Sequence, residues 1–220
     1  MILNFNNATP KSRSEEFSPW EFGLPSMIMT DMEIFGLFNI ISRERMKDIM
    51  AEHALQLSGI VKTDDIVKTG QMAGARYILS GSFTEMNGTL KIEAQVFSVE
   101  QCIQIGSASI TGLTERYFDL EKKIVIKIAQ IFQAQLSKED EIRFEKNIET
   151  RSFMASLFNY RGEIAVNTAG DLKKKGMREE AKRQLSFAVK CFKESLDFDP
   201  NYKKAIKNFE DVCMTVPVVF

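Results

Sequence analysis

The sequence predicts an α+β fold. A mixed sheet with an antiparallel meander is packed by helices in the order β-α-β-α-α-β-β-β-α, and a C-terminal helical hairpin follows. Three observations carry this reading. Leu90–Val96 alternates strictly, with Leu90, Ile92, Ala94 and Val96 on one face and Lys91, Glu93 and Gln95 on the other, the pattern of a strand buried on one side. Asn87-Gly88, just before it, supplies the positive φ angles that a two-residue hairpin needs. Elsewhere the apolar residues recur at helical spacing, and early strands separated by helices before a meander make a layered α+β domain.

The elements follow in order. Met1–Phe5 reads as a strand that ends in the polar run Asn6–Pro10, and Lys11–Phe17 reads as a flexible polar segment. Ser18-Pro19-Trp20-Glu21 has the form of a helix start, but Gly23 and Pro25 place the main helix from about Leu24, with Leu24, Met27, Ile28, Met32 and Phe35 on one face and Gly36 as its stop. Leu37–Ile41 is a second short strand. Ser42 caps a helix over Arg43–His53, Leu55–Val61 is a loop, and Thr63 caps a helix that ends before Gly74. Ala75–Glu85, Leu90–Val96 and Gln101–Leu113 form the meander, with turns at Met86–Thr89 and Ser98–Gln101. Gly81 inside the first of these strands marks a bulge or a close-packing position. Thr114–Leu136 is a long amphipathic helix with Phe118, Ile124, Val125, Ile128, Ile131, Phe132 and Leu136 on its apolar stripe.

Composition shifts after Ser137. The expected organisation is an α/β domain over residues 1–136, a charged linker or helix extension over 137–151, and a helical hairpin with a tail over 152–220. The hairpin consists of helices over Phe153–Ala169 and Met177–Asp197, joined around Lys173–Gly176. It is too short to stand as a domain by itself.

The 220 residues are 44% apolar and 27% charged, ordinary values for a chain with a real core. A net charge of −1 gives no general attraction to nucleic acid or anionic lipid. Three cysteines without a close pair, Cys102, Cys191 and Cys213, exclude a disulfide framework and a zinc ribbon. No stretch reaches the roughly 18 apolar residues of a membrane helix. No signal peptide is visible, so the chain reads as cytoplasmic or as a form whose targeting segment has been removed.

The glycine-rich stretch Gly74–Val96 invites a search for chemistry. A Walker A loop needs GxxxxGK[ST]; here Gly74 and Gly81 stand seven apart with no lysine after them. A Rossmann turn needs a helix directly after its glycines, and Ser80-Gly81-Ser82 does not fit a nucleophile elbow. His53 is the sole histidine and has no carboxylate or cysteine cluster in sequence, so it reads as a helix-end residue. Asp64-Asp65 complements a helix N-terminus, and Lys173–Lys175 reads as a solvated turn rather than a phosphate site. Met27, Met29 and Met32 fit a core face better than an adaptable contact surface. No catalytic, cofactor-binding or metal residue is assigned, and no cofactor is expected.

The ordered runs Ile40-Ile41-Ser42-Arg43-Glu44-Arg45-Met46, Ile49-Met50-Ala51-Glu52, Leu55-Gln56-Leu57-Ser58-Gly59 and Gly74–Ser82 resemble the CsgG-like family, as does the early helix ending in Met29-Thr30-Asp31-Met32. That family comprises the curli assembly and transport component and related bacterial envelope lipoproteins. The resemblance covers residues 1–136. It implies a nucleotide-free, non-enzymatic scaffold in the periplasm at the outer membrane. It also implies protein partners, in an envelope complex or through self-association, and a tether through a lipidated cysteine upstream of this chain. A cytoplasmic location stays open. The curli channel adds long membrane hairpins. The turns Met86–Thr89 and Ser98–Gln101 leave no room for a strand pair of about ten residues each, and Lys11–Phe17 and Leu55–Asp64 are too short and polar. The expectation is an interaction or assembly protein without a pore, acting through the sheet edge and the helical hairpin; the alternative is an oligomeric subunit of a secretion channel or accessory complex. In the C-terminal hairpin, Ala188, Phe192, Ser195 and Pro200 follow the spacing of the second helix of a tetratricopeptide repeat. A single degenerate repeat builds no binding groove, because neighbouring repeats supply the core.

Overall fold

A computed structural model describes residues 1–34, 36, 38–42, 63–134 and 137–215. The expected helix Arg43–His53, the loop Leu55–Val61, His53, Phe35 and Leu136 lie outside them. The chain divides into two compact units, Met1–Asn147 and Ile148–Phe220.

The first unit is the expected α+β layer. Numbering the described elements in chain order, its strands are β1 (Asn6–Asn7), β2 (Tyr77–Met86), β3 (Thr89–Ser98) and β4 (Ile103–Leu113). They form one sheet in the order β1-β2-β3-β4. β1 lies parallel to β2, and the other pairs are antiparallel. The helices are α1 (Lys11–Phe17), α2 (Trp20–Ile34), α3 (Thr63–Ala73), α4 (Tyr117–Ile131) and α5 (Lys138–Lys146).

Alternation decides which face is covered. Leu90, Ile92, Ala94 and Val96 are all fully buried, and α4 packs on their strand. Trp20 of α2 meets Phe83 of β2 and Tyr117 of α4 edge-on, with centroids 5.9 and 5.2 Å away. On the other face, among the described residues, Ile66 of α3 covers one end and packs with Leu3, Ile78, Phe97 and Val99.

The β2–β3 turn is as expected, with Asn87 at φ 52° and Gly88 at φ 78°. Glu85, itself buried, accepts the Gly88 N–H at 2.7 Å and Arg13 Nη1 at 2.7 Å, so one carboxylate holds both the turn and α1. Alanine at Gly88 must adopt a left-handed conformation, so G88A is expected to destabilise the first unit by about 1 kcal/mol in urea unfolding. Gly81 is a close-packing position and not a bulge. It pairs in register with Ala94, and a Cβ there would lie 2.4 Å from both the Glu93 carbonyl oxygen and the Phe5 ring.

Three expectations need correction. Lys11–Phe17 is a helix: the Pro10 carbonyl starts it by accepting the Arg13 N–H at 2.9 Å, and buried Phe17 anchors it. The main helix begins at Trp20 and runs through Pro25. The carbonyl that Pro25 leaves without a helical donor is that of Glu21, and the Phe5 N–H fills it at 3.0 Å. Residues 38–41 join no strand. Phe38 instead packs on Phe132 at 4.8 Å, so this apolar run lines a groove.

The second unit contains α6 (Phe153–Lys174), α7 (Arg178–Phe198) and α8 (Lys203–Thr215). Ser152 caps α6 by accepting the Ala155 N–H at 3.1 Å. The expected hairpin is α6–α7, and its tail is a third helix. Ala205 and Val212 bury one side of α8, and Tyr202 is buried just before it: Val212 lies with Ala165, Ala188 and Phe192, and Tyr202 and Ala205 lie with Ala155.

Candidate interaction surfaces

The described residues weighed for chemistry do not converge. Asp64 and Asp65 stand in the first turn of α3. Lys173–Lys175 are exposed at the end of α6, where cations complement the helix C-terminus. Met27 and Met32 are core, and Met29 is half-buried. Ser80, Gly81 and Ser82 are plain strand residues. Among the described residues no group of three or more His, Cys, Asp or Glu side chains could hold a metal ion.

What the first unit offers is surface. Away from α3, the second face of the sheet presents Ser80, Ser82, Thr84, Lys91, Glu93, Gln95, Ser107, Ser109 and Thr111, all exposed or half-buried. β4 forms the outer edge, and α4 lies against its inner face. A register shift at Val96/Phe97 leaves Ile105 as the extra residue, and from Gly106 to Leu113 the strand runs regularly.

A groove of about 390 Å³ opens between the start of β2 and the segment 38–41. Phe132 anchors it, with Phe38 at 4.8 Å and Tyr77 at 5.0 Å, both edge-on. Among the described residues of its lining, Arg76 carries the one charged side chain, and most of the others offer apolar contact.

Under α2 and α4 lies a buried ionic cluster. Lys122 of α4 is paired with Asp31 of α2, and a Glu121 carboxylate oxygen lies 3.7 Å from its Nζ. The ammonium also stands 4.4 Å from the Phe144 ring centroid and 5.1 Å from that of Phe118. Asn147 Nδ2 donates to Asp31 at 3.2 Å. These contacts fix α5 beside α2 and α4.

In the second unit, Glu163 of α6 accepts from Asn159 at 2.9 Å and from Asn208 of α8 at 3.0 Å, and Lys204 lies 3.1 Å away. Elsewhere on the hairpin, Phe158 of α6 stacks on exposed Phe198 of α7 at 5.6 Å, with Arg161 over Phe158. Burial pushes the Cys191 thiol up to about 11, with Arg161 opposing the shift and Glu194 adding to it. A disulfide reagent at pH 8 is therefore expected to modify exposed Cys102 first, half-buried Cys213 more slowly and Cys191 only on unfolding. Counting thiols released before and after denaturant checks that order.

A profile of the curli production assembly/transport component CsgG matches residues 3–160. The chain belongs to that family. The family is one of bacterial envelope proteins. Similar solved structures include the C-terminal domain of LpoB from Salmonella enterica, at 13% identity and a TM-score of 0.35, covering 51% of this chain and 79% of that one. The same domain from Escherichia coli gives 16% identity and a TM-score of 0.39, with coverage of 51% and 79%. The NMR structure of Escherichia coli LpoB gives 15% and 0.40, with coverage of 50% and 53%. No curated protein matches.

In this CsgG-family chain, sequence reasoning found the sheet edge but missed what surrounds it. The Lys122 cluster joins residues far apart in the chain, and no local signal marks it. The Asn159–Glu163 spacing of four was a legible helical pair, and Lys204 and Asn208 repeat it on α8.

Proposed function

We propose that this chain is a non-enzymatic interaction or assembly protein of the bacterial envelope, working in the periplasm at the outer membrane through protein contacts and without the membrane hairpins of the curli pore. The observation that carries this reading is the meander. Its connections are Asn87-Gly88 and the four residues from Val99 to Cys102, far short of membrane strands of about 9–11 residues each. Its outer strand is left as contact surface. Within 152–220 the α6–α7 pair acts as a degenerate tetratricopeptide-like hairpin, in which Ala188 and Phe192 are core and Ser195 donates to the Ala155 carbonyl at 2.7 Å. A lipidated cysteine upstream would supply the tether.

The family's description as a transport component favours a second reading, a subunit of an oligomeric secretion channel. Fractionation of cells expressing the natural gene product, followed by planar-bilayer recording of the detergent-extracted protein, separates the two. The first reading expects the protein in the outer-membrane or periplasmic fraction and no conductance. A cytoplasmic protein sinks both, and a stable conducting ring sinks the first alone.

A further inference from the structure

We infer that β4 is a pairing edge for a second copy of this chain. Two β4 strands would join antiparallel about a two-fold axis at Ser109 and fuse two four-stranded sheets into one. The inference rests on the protein-contact reading above and specifies its surface.

The direction of the backbone groups comes first. The Thr114 N–H donates inward to the Gly88 carbonyl at 2.8 Å. The Ser109 carbonyl turns the other way and accepts Lys127 Nζ of α4 at 3.1 Å. Because successive residues of a strand point their N–H and C=O to opposite sides, Ser107, Ser109, Thr111 and Leu113 present theirs at the outer edge. All four are exposed, and among the described residues only β3 pairs with β4.

Such edges are normally blunted by charge, proline or a very short strand. β4 has none of these. Its eleven residues, IQIGSASITGL, include no charged side chain and no proline. Its bulge sits at Ile105, near the start, and leaves Gly106–Leu113 regular. Among the described residues the one guard is Lys127, which comes from the helix and occupies a single carbonyl.

The same features select the partner. A strand with no charge meets its own copy without like-charge repulsion. Centring on Ser109 places outward residues opposite outward residues: Ser109 with Ser109 and Ser107 with Thr111 of the other copy. On the helix-facing side, Ala108 meets Ile110, and Gly106 meets Gly112. Those glycines leave room where Ile131 and Leu120 of α4 already sit, 2.5 and 2.7 Å from the positions their Cβ atoms would take. Small therefore meets large, and the glycine pair lies under the helices of both copies.

The test is sedimentation equilibrium of the purified 220-residue chain across a range of concentrations, with three variants. The chain itself is expected to associate reversibly to a dimer. K127A frees the Ser109 carbonyl and should tighten association by about threefold, the effect of removing one exposed hydrogen bond. S109P removes an N–H that faces outward and leaves the bonds to β3 in place. It should weaken association at least about tenfold. S109K, at an exposed position, sets two like charges opposite each other and should do the same at low salt, with recovery at high salt. If S109P unfolds, S109K decides. A chain that stays monomeric both as wild type and as K127A overturns the inference, and so does a dimer indifferent to S109K. Either result leaves the fractionation and conductance outcomes untouched, so the two readings fail separately.

Discussion

Replacing Trp20 with alanine is expected to remove about 3–5 kcal/mol from the stability of the first unit. The indole is fully buried at the start of α2. It meets Phe83 at 78° and Tyr117 at 62°, so it joins a strand and two helices at one point. Each edge-on aromatic contact adds about 0.5–1.5 kcal/mol beyond the area buried, and the cavity left by alanine cannot collapse fully between three elements. Domains of this size carry about 5–15 kcal/mol in all, so the variant should unfold at much lower urea. Circular dichroism is the readout, because the only tryptophan is lost. In the wild-type chain, by contrast, Trp20 fluorescence reports on the first unit alone. A loss below about 1 kcal/mol would mean that the ring is not the keystone its contacts describe.

The fold was legible where the signal is local. Strict alternation over Leu90–Val96 set the buried face of the sheet, and Asn87-Gly88 set its register, because both depend on neighbouring residues only. It failed where a distant group changes the local rule. Pro25 should break a helix, yet the Glu21 carbonyl it strands is satisfied by Phe5, twenty positions upstream of Pro25. Lys11–Phe17 lacks an apolar stripe, and it is held as a helix by buried Phe17 and by the Arg13–Glu85 ion pair at 2.7 Å. Residues 38–41 have strand-like composition, but Phe38 packs on Phe132 and Ile40 and Ile41 line the groove instead of joining a ladder. The third helix of the second unit, α8, was missed because Asp199-Pro200 reads as an exit. The next apolar stripe begins only two residues later, at Tyr202.

The contact surfaces divide in the same way. The sequence led us to expect an exposed sheet edge without naming its strand, and β4, the last strand of the meander, is such an edge. That its edge is guarded by Lys127 did not follow from the sequence, since the lysine lies on a helix eighteen residues away. Polar strand residues such as Ser80, Ser82 and Thr84 look like loop composition in one dimension. In the sheet they are the solvent side of an element buried on its other face, and the stretch around Gly81 is the strand expected from its spacing.

The buried charges make the second large effect. Substituting methionine for Lys122 keeps most of the stem volume and removes only the ammonium. It is expected to destabilise the first unit by about 3–5 kcal/mol, because the buried carboxylates of Asp31 and Glu121 lose the cation between them. Loss of packing alone would be smaller, since methionine still fills the space beside Phe118 and Phe144. A double-mutant cycle separates the two causes. D31N retains an oxygen to accept from Asn147 while removing one negative charge. Combined with K122M it should recover about 1–3 kcal/mol relative to the sum of the single variants, the range found for charges in direct contact. Additive losses would show that Lys122 acts through its hydrocarbon stem. Hydrogen exchange over α5 gives an independent reading. Phe144 and Asn147 hold that helix through the same cluster, so its amides should exchange faster in K122M and regain protection in the double variant.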